Sequence, residues 1–231
     1  INKDGRKFLA RAKDINKDQT YFLHEVNSNE FEKCIFPLNN LYKTEVREIA
    51  KKIGLYNATK KDSVGICFVG EKNLKDFLGR FIDLKKGQII DEFGNIIGQH
   101  DGATLYTKGQ RQGLKIGGVK GREDLPWYVF NKDINNNEVH VCQGLDNELL
   151  LDNGLIVENI SWINNADFEY PKKCTLQVRH QHAPVECTIK ACEKNFRVEF
   201  VKKIRGVAPG QSAVFYEDNI CLGGGIITET F

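Results

Sequence analysis

Apolar positions along the first sixty residues follow a mixture of strand and helix periods. Lys7 to Ala12 predicts a short strand, and Thr20 to Val26 predicts a helix. A clearer helix is predicted from about Thr44 to Ile53, because apolar residues recur there at i, i+3, i+4 and i+7 and Gly54 follows as a stop. These elements have too few apolar faces to close a core alone, so we expect the remainder of a larger α/β domain.

The middle of the chain changes from a short helix to strands. The helix follows Asn73, and we expect its apolar stripe to lie in the core: Leu74, Phe77, Leu78 and Phe81. Turn residues between alternating segments then predict two hairpins, one of strands 88–91 and 95–99 and one of strands 127–131 and 138–143.

Beyond about residue 150 the pattern is entirely that of short strands separated by turns, which predicts a small closed barrel. The predicted strands are Gly154 to Trp162, Lys173 to His180, Val185 to Ala191, Phe196 to Phe200, Ser212 to Tyr216 and Ile220 to Ile227. The predicted fold class is therefore an α/β remnant of a catalytic domain, residues 1–61, then a small mixed central domain, 62–145, and a C-terminal all-β barrel, 146–231.

Composition narrows the class of protein. With 41% hydrophobic and 28% charged residues, the chain of 231 residues is typical of a globular protein. No apolar run approaches the roughly 20 residues that span a bilayer, and no leader is evident, so we expect a cytoplasmic protein without a membrane partner. The net charge of +2 does not by itself indicate nucleic acid. Because the chain begins with Ile1 and contains no Met, we expect a piece of a longer protein.

Seven irregularly spaced cysteines disfavour a secreted disulfide framework and favour reduced thiols, most of them buried. Cys67 differs from the rest, since Gly65 and Gly70 bracket it and Lys60 and Lys61 precede it. Glycines permit close approach of a substrate, and nearby cations favour the thiolate. A reactive thiol is one interpretation, and an inert buried cysteine is the other.

Other chemistry-bearing patterns are weaker. His180, His182, Cys187 and Cys192 lack a C-x-x-C pair, so no metal site is expected. The glycine-rich stretches 108–118 and 223–225 do not have the order of a P-loop and favour bulges or tight packing. The first stretch is also basic, which leaves open whether it contacts phosphate or is a solvated loop. Three polar runs suit RNA contacts, although each alone is weak: Lys17-Asp18-Gln19, Arg179-His180 and Pro209-Gly210-Gln211.

Taken together, the runs resemble the bacterial tRNA-specific 2-thiouridylase family (MnmA, also called TrmU), in order and over essentially the whole chain. The matching runs are residues 16–23, 61–70, 77–80, 109–114, 126–129, 209–216 and 221–227.

The resemblance implies an enzyme that replaces the C2 oxygen of the wobble uridine of certain tRNAs with sulfur. In the family, ATP adenylates that oxygen, a cysteine persulfide delivers sulfur, and a second cysteine completes the exchange through a disulfide. The persulfide position matches Cys67, in the D-S-x-G-I-C segment. The tRNA contacts that carry over are Lys17, Asp18, Gln19, Arg179, His180 and Gln211.

Two departures from the family pattern qualify these implications. Family members often have Arg-Tyr where this chain has Arg179-His180, which weakens that contact. The S-G-G-x-D-S loop and the partner cysteine do not occur here, and the context of Cys34 does not match that partner. We therefore expect ATP to be bound outside this chain, a sulfur-donor or sulfur-relay protein to act as a partner beside tRNA, and the chain alone to be inactive.

Two other functions remain open. The basic and polar runs are also compatible with a non-catalytic RNA-binding β-barrel, in which a Cys67→Ala change would leave thiolation unaltered. The third is a redox-sensing thiol protein, in which Cys67 would react with an alkylating probe much faster than the other cysteines.

Overall fold

A computed structural model describes residues 1–3, 6–62, 74–164 and 168–231. The described residues form two α-helices, α1 (Lys43–Lys52) and α2 (Leu74–Leu78), and four 3-10 helices, Ile15–Lys17, Thr20–Leu23, Ala103–Leu105 and Glu148–Leu150. They also form thirteen strands: β1 (Asn2–Lys3), β2 (Arg6–Lys7), β3 (Leu9–Ala10), β4 (Gly87–Asp91), β5 (Ile96–His100), β6 (Trp127–Asp133), β7 (Glu138–Gln143), β8 (Leu151–Trp162), β9 (Lys172–Gln177), β10 (Val185–Cys192), β11 (Asn195–Arg205), β12 (Ser212–Glu217) and β13 (Ile220–Thr230). The chain packs as two compact units, one of residues 1–61, 153–203 and 207–231 and one of residues 62–152 and 204–206.

Six strands of the first unit close into a barrel, in the ring order β8, β13, β12, β9, β10 and β11. Every strand predicted beyond residue 150 has a counterpart in this ring, which confirms the closed barrel. Side chains that alternate toward the inside are fully buried, among them Leu155, Val157, Leu176, Ile189 and Val198. Closure leaves each of these strands paired on both sides, so the barrel presents no open edge.

Glycines in β13 permit the close approach of neighbouring strands. A Cβ atom on Gly223 would overlap the carbonyl oxygen of Ser161, and one on Gly225 would lie 2.5 Å from the carbonyl oxygen of Glu158. Gly223 also has a φ of 141°, which disfavours other residues. This arrangement confirms that the 223–225 stretch serves strand packing.

The N-terminal residues of the first unit pack onto the barrel strands. Leu9 pairs with Cys221 and Ala10 with Ile220, so β3 pairs with the first residues of β13, before the β8 pairing begins at Gly223. Leu9 and Tyr21 are buried in one cluster with Val214, Tyr216 and Cys221. The N-terminal residues thus form a buried cluster with residues of β12 and β13.

Two predicted N-terminal elements are shorter than expected. The strand predicted over Lys7 to Ala12 is divided between β2 and β3, and the helix predicted over Thr20 to Val26 is only the 3-10 helix Thr20–Leu23. Thr20 and Tyr21 are both buried, and the Tyr21 hydroxyl donates to the distant Ser212 carbonyl. Long-range packing of this segment thus accompanies a turn shorter than the predicted helix.

Helix α1 lies within one residue of its prediction at each end. The Glu45 carboxylate accepts a hydrogen bond from the Tyr42 amide at 2.6 Å, and Gly54 follows the helix with a φ of 76°. Its apolar stripe is nevertheless poorly covered, since Ile49 and Ile53 are exposed. No helix that the structure describes has the length and apolar character needed to cross a membrane.

The second unit contains a four-stranded mixed sheet in the order β5, β4, β7, β6, in which only the β4–β7 pairing is parallel. Its strands confirm both predicted hairpins, and its core includes Ile89, Val129, Val139 and Val141. The expectation that Phe81 is in the core was wrong: it is 72% exposed, because α2 ends at Leu78 and Phe81 lies in the turn that follows.

Candidate RNA interface

The Lys17-Asp18-Gln19 corner is built by a short 3-10 helix. The Asp14 side chain caps this helix by accepting from the Asn16 amide at 3.1 Å, and it also accepts from the Lys43 amide at 2.9 Å. Lys17 and Gln19 are exposed at the corner. One buried carboxylate therefore ties the corner to the start of α1.

Asp18 points into the protein. Its carboxylate accepts hydrogen bonds from the Ala12 amide at 3.1 Å and the Thr20 hydroxyl at 2.6 Å, and it pairs with the Arg11 guanidinium at 3.3 Å. The Asp18 and Arg11 side chains are only 5% and 6% exposed. Asp18 thus holds the shape of the corner through contacts within the chain.

Arg11 connects this corner to the barrel. Its guanidinium donates to the side-chain oxygen of Gln177 at 2.9 Å, at the end of β9. It also stacks 3.5 Å from the ring centre of Tyr216 in β12, where burial raises the pKa of the phenol. Sequence reasoning missed Arg11, since a single arginine in a short strand carries no local signal.

Arg179 and His180 follow β9 and lie beside the same corner. His180 Nε2 donates to the carbonyl oxygen of Asp18 at 3.1 Å, since a carbonyl can only accept. The ring of Phe22 lies 4.6 Å from the imidazole, centre to centre. Phe22 is 58% exposed, so an aromatic face accompanies the polar groups here.

Gln211 lies in the turn that precedes β12. Gly210 has a φ of 84° in this turn, and the Gln211 carbonyl accepts from the Ile227 amide at 2.8 Å. The Gln211 side chain is exposed. The backbone of the turn is thus fixed by β13, while the amide side chain faces solvent.

Tyr21 joins the segments that carry Arg179-His180 and Gln211. Its buried hydroxyl donates to the Ser212 carbonyl at 3.0 Å, with the Val178 carbonyl also in reach at 3.4 Å. Burial raises the pKa of Tyr21, against the opposing effects of the Ser212 hydrogen bond and the nearby Arg179. The structure therefore brings all three predicted polar runs together on one unit, with Tyr21 and Arg11 as the residues that connect them.

Cys67 and its segment lie outside the described residues. Upstream of it, Lys60 and Lys61 are exposed, and the Lys60 carbonyl accepts from the Arg47 guanidinium at 3.1 Å. Cys34 is also exposed, with its thiol 3.6 Å from the Glu30 carbonyl.

The remaining cysteines differ in burial. Cys142, Cys187 and Cys221 are buried, whereas Cys174 is only partly buried and Cys192 is exposed. Burial raises the pKa of Cys142 and of Cys221 to about 12, so both stay protonated thiols. The expectation that most cysteines are buried holds for these three, and it fails for Cys34 and Cys192, which lie in a turn and at a strand end.

Among the described residues no group of three or more His, Cys, Asp or Glu side chains could hold a metal ion.

Comparison with known proteins finds three family models that match successive parts of the chain. A family model described as an aminomethyltransferase beta-barrel domain matches residues 152–227. Models described as a tRNA methyl transferase HUP domain and PRC-barrel domain match residues 1–71 and 75–143.

Curated relatives match nearly the whole chain. The chain is 46% identical over 226 residues to the tRNA-specific 2-thiouridylase MnmA of Buchnera aphidicola subsp. Schizaphis graminum, covering 97% of the chain and 62% of that protein. The proteins of the same name from Pseudomonas savastanoi pv. phaseolicola and Shigella dysenteriae are 46% and 43% identical, and the chain covers 60% and 62% of their lengths. The chain thus spans less than two thirds of the length of these relatives, and it is similar to tRNA-specific 2-thiouridylases over at least 97% of its own length.

Proposed function

We propose that this chain is part of a tRNA-uridine 2-sulfurtransferase, which transfers persulfide sulfur to C2 of the wobble uridine. The observation that carries the proposal is the convergence of the three polar runs around Tyr21 and Arg11. Residues separated by more than 160 positions meet there, as in the hydrogen bond between His180 and Asp18. Such convergence is expected of a binding surface and is not required by the barrel alone.

The chemistry of this surface suits a single-stranded loop of RNA. Lys17 and Arg179 supply cations for phosphates, and Gln19 and Gln211 supply amides that can donate to and accept from base edges. Phe22 and His180 provide rings on which an unstacked base can lie. We propose that Lys17, Gln19, Arg179, His180 and Gln211 contact tRNA directly and that Asp18 acts by holding their corner in place.

Cys67 is proposed to carry the sulfur as a persulfide. The support is its position in the D-S-x-G-I-C segment and the two exposed lysines that precede it. A labile S–S bond on a soft nucleophile divides one difficult substitution into easier steps. The partners proposed with it are tRNA and a sulfur-donor or sulfur-relay protein, in the cytoplasm, where thiols stay reduced.

The described residues do not fit ATP. Gly223 and Gly225 are packed against neighbouring strands, and Gly109 and Gly113 adopt φ values of 83° and 85° in turns. No described glycine-rich segment leads into a helix N-terminus as a phosphate cradle requires. We therefore assign no nucleotide chemistry to these residues, and the proposal places ATP binding elsewhere in the whole protein.

The division into parts is also a proposal. We propose domains at 1–61, 62–145 and 146–231, supported by three separate family-model matches over 1–71, 75–143 and 152–227. In the structure residues 1–61 pack with the barrel as one unit. A domain in the evolutionary sense can pack with its neighbour as one compact unit in this way.

The proposed tRNA-binding surface of the protein can be tested by removing one positive charge at a time. We expect Lys17→Gln and Arg179→Gln each to weaken binding of the chain to tRNA several-fold, and each to reduce the slope of log K against log salt by about one. Fluorescence anisotropy over a salt series measures both quantities.

The matched control for these variants is Lys194→Gln, which removes the same charge from the exposed turn between β10 and β11. It should bind tRNA as the unchanged chain does. Equal losses of tRNA affinity in all three variants would show that only the net charge of the chain matters, which contradicts a specific binding surface.

The sulfur-carrying role has its own test. In the whole protein, Cys67→Ala should abolish 2-thiouridine formation while tRNA binding is retained, because only the persulfide position is lost. Mass spectrometry of digested tRNA measures the product, and Cys192→Ala is the matched control at an exposed cysteine. Unaltered thiolation by Cys67→Ala would favour the RNA-binding module instead.

A further inference from the structure

Two cysteines of the barrel face each other across neighbouring strands. Cys174 on β9 is directly opposite Cys187 on β10 in the antiparallel register, and their Sγ atoms are 3.7 Å apart. Cys187 is 2% exposed, whereas Cys174 is partly open to solvent. The proposed sulfur transfer uses neither of them.

The strand geometry suits a covalent bond between these sulfurs. Directly opposed residues of an antiparallel pair have Cα atoms about 4.5–5.5 Å apart, within the roughly 4.4–6.8 Å seen in disulfides. The sulfurs must approach by roughly 1.7 Å to reach bonding distance, which side-chain rotation can supply. Each strand is paired on its other side as well, β9 to β12 and β10 to β11, so the backbone already holds the two residues in place.

The two thiols have different environments. The hydrogen bond from Cys187 lowers the pKa of Cys174, against the effect of burial and with help from Lys172. The same hydrogen bond, together with burial, raises the pKa of Cys187. Cys174 is therefore both the more accessible and the more readily ionised sulfur, which makes it the first nucleophile.

We propose that Cys174 and Cys187 are a second thiol site of this protein, a cross-strand dithiol that low-molecular-weight disulfides such as glutathione disulfide oxidise to an intramolecular disulfide. This site is independent of Cys67 and of the proposed RNA surface. A failure of tRNA binding or thiolation therefore has no bearing on it.

The reaction proceeds by two thiol–disulfide exchanges. The Cys174 thiolate attacks one sulfur of glutathione disulfide, so that a mixed disulfide forms and one glutathione thiolate leaves. Cys187 then loses its proton and attacks the Cys174 sulfur, and the second glutathione leaves as a thiolate. The two protein thiols lose two electrons to glutathione disulfide, and their two protons end on the two glutathione molecules formed.

Peptide mapping of the whole chain tests this site, in a Cys67→Ser background that removes the competing thiol. After treatment of the reduced chain with glutathione disulfide, we expect a peptide pair linked through Cys174 and Cys187, lighter by two hydrogen atoms. Dithiothreitol should reverse the link. Recovery of both cysteines as free thiols, while exposed Cys34 and Cys192 take up glutathione, would overturn the proposal.

Single variants separate the two steps. Cys187→Ser should accumulate a stable glutathione adduct on Cys174, whereas Cys174→Ser should leave the buried Cys187 unmodified. Cys192→Ser is the matched control and should still form the linked pair. An unmodified Cys174 in Cys187→Ser would contradict its role as first nucleophile, and circular dichroism checks that each variant is folded. If a variant does not fold, the peptide mapping of the Cys67→Ser chain alone tests whether Cys174 and Cys187 become linked.

Discussion

One buried ion pair determines how the N-terminal corner meets the barrel. Arg11 and Asp18 are almost fully excluded from water, and the same arginine contacts Gln177 and Tyr216. Removing one member of such a pair leaves the other charge buried without its counter-ion, which is strongly destabilising. At the residue scale, Asp18 is thus a structural carboxylate, and its proposed role in tRNA binding is to hold the corner in place.

We predict that Asp18→Asn lowers the free energy of unfolding by about 3 kcal/mol, because Arg11 would remain charged and buried without a carboxylate. Urea denaturation measures this change. The double variant with Arg11→Gln should lose less than the sum of the two single changes, since both remove the same interaction.

The control for this prediction is Glu32→Gln, which removes the exposed partner of Lys7 at 3.4 Å. Exposed pairs contribute little to stability, so its effect should be small. Equal effects of Asp18→Asn and Glu32→Gln would refute the structural role.

At the scale of elements, the segment after the 3-10 helix Thr20–Leu23 is packed on β13. The His24 side chain is buried, and a Cβ on Gly224 would lie 2.8 Å from its Nδ1 atom. Burial lowers the pKa of His24 below its usual 6.5, although the charge of Glu25 opposes that effect. Glycine in β13 thus makes room for an imidazole that is neutral when folded.

This burial predicts a pH dependence of stability. Below about pH 6.5 the unfolded chain binds a proton on His24 more readily than the folded chain does, so the free energy of unfolding should fall as the pH decreases through that value. Urea denaturation at a series of pH values measures the slope.

His24→Gln should reduce this slope, whereas His182→Gln, at an exposed imidazole, should leave it as in the unchanged chain. His100 is buried in the second unit, and its pKa is lowered by burial, so part of the slope should persist in His24→Gln. A slope unaffected by His24→Gln would contradict the assignment.

At the scale of the whole molecule, the chain contains two compact units and matches about 60% of the length of its relatives. The printed sequence has no S-G-G-x-D-S loop, which the family resemblance associates with ATP. We predict that this chain binds tRNA but forms no 2-thiouridine when it is supplied with ATP and a sulfur donor. Nucleoside mass spectrometry measures the product, and turnover by the chain alone would contradict the prediction.

Local patterns predicted most elements correctly. The six barrel strands, both hairpins and α1 each depend on an apolar period and on turn residues within the same segment, such as Gly54 after α1. The errors occur where distant packing decides the outcome. Tyr21 is buried against Val214 and Tyr216, which are far away in sequence, and the predicted helix there is reduced to one 3-10 turn.

For the candidate site, the sequence by itself determined which residues carry polar chemistry, because Lys17, Gln19, Arg179 and Gln211 lie in recognisable runs. Tertiary structure alone decided that the segments carrying these runs meet around Arg11 and Tyr21 and that Asp18 faces inward. The physical reason is that closing the barrel aligns β9, β10 and β12 and fixes which distant residues become neighbours. The antiparallel register of β9 and β10 places Cys174 opposite Cys187.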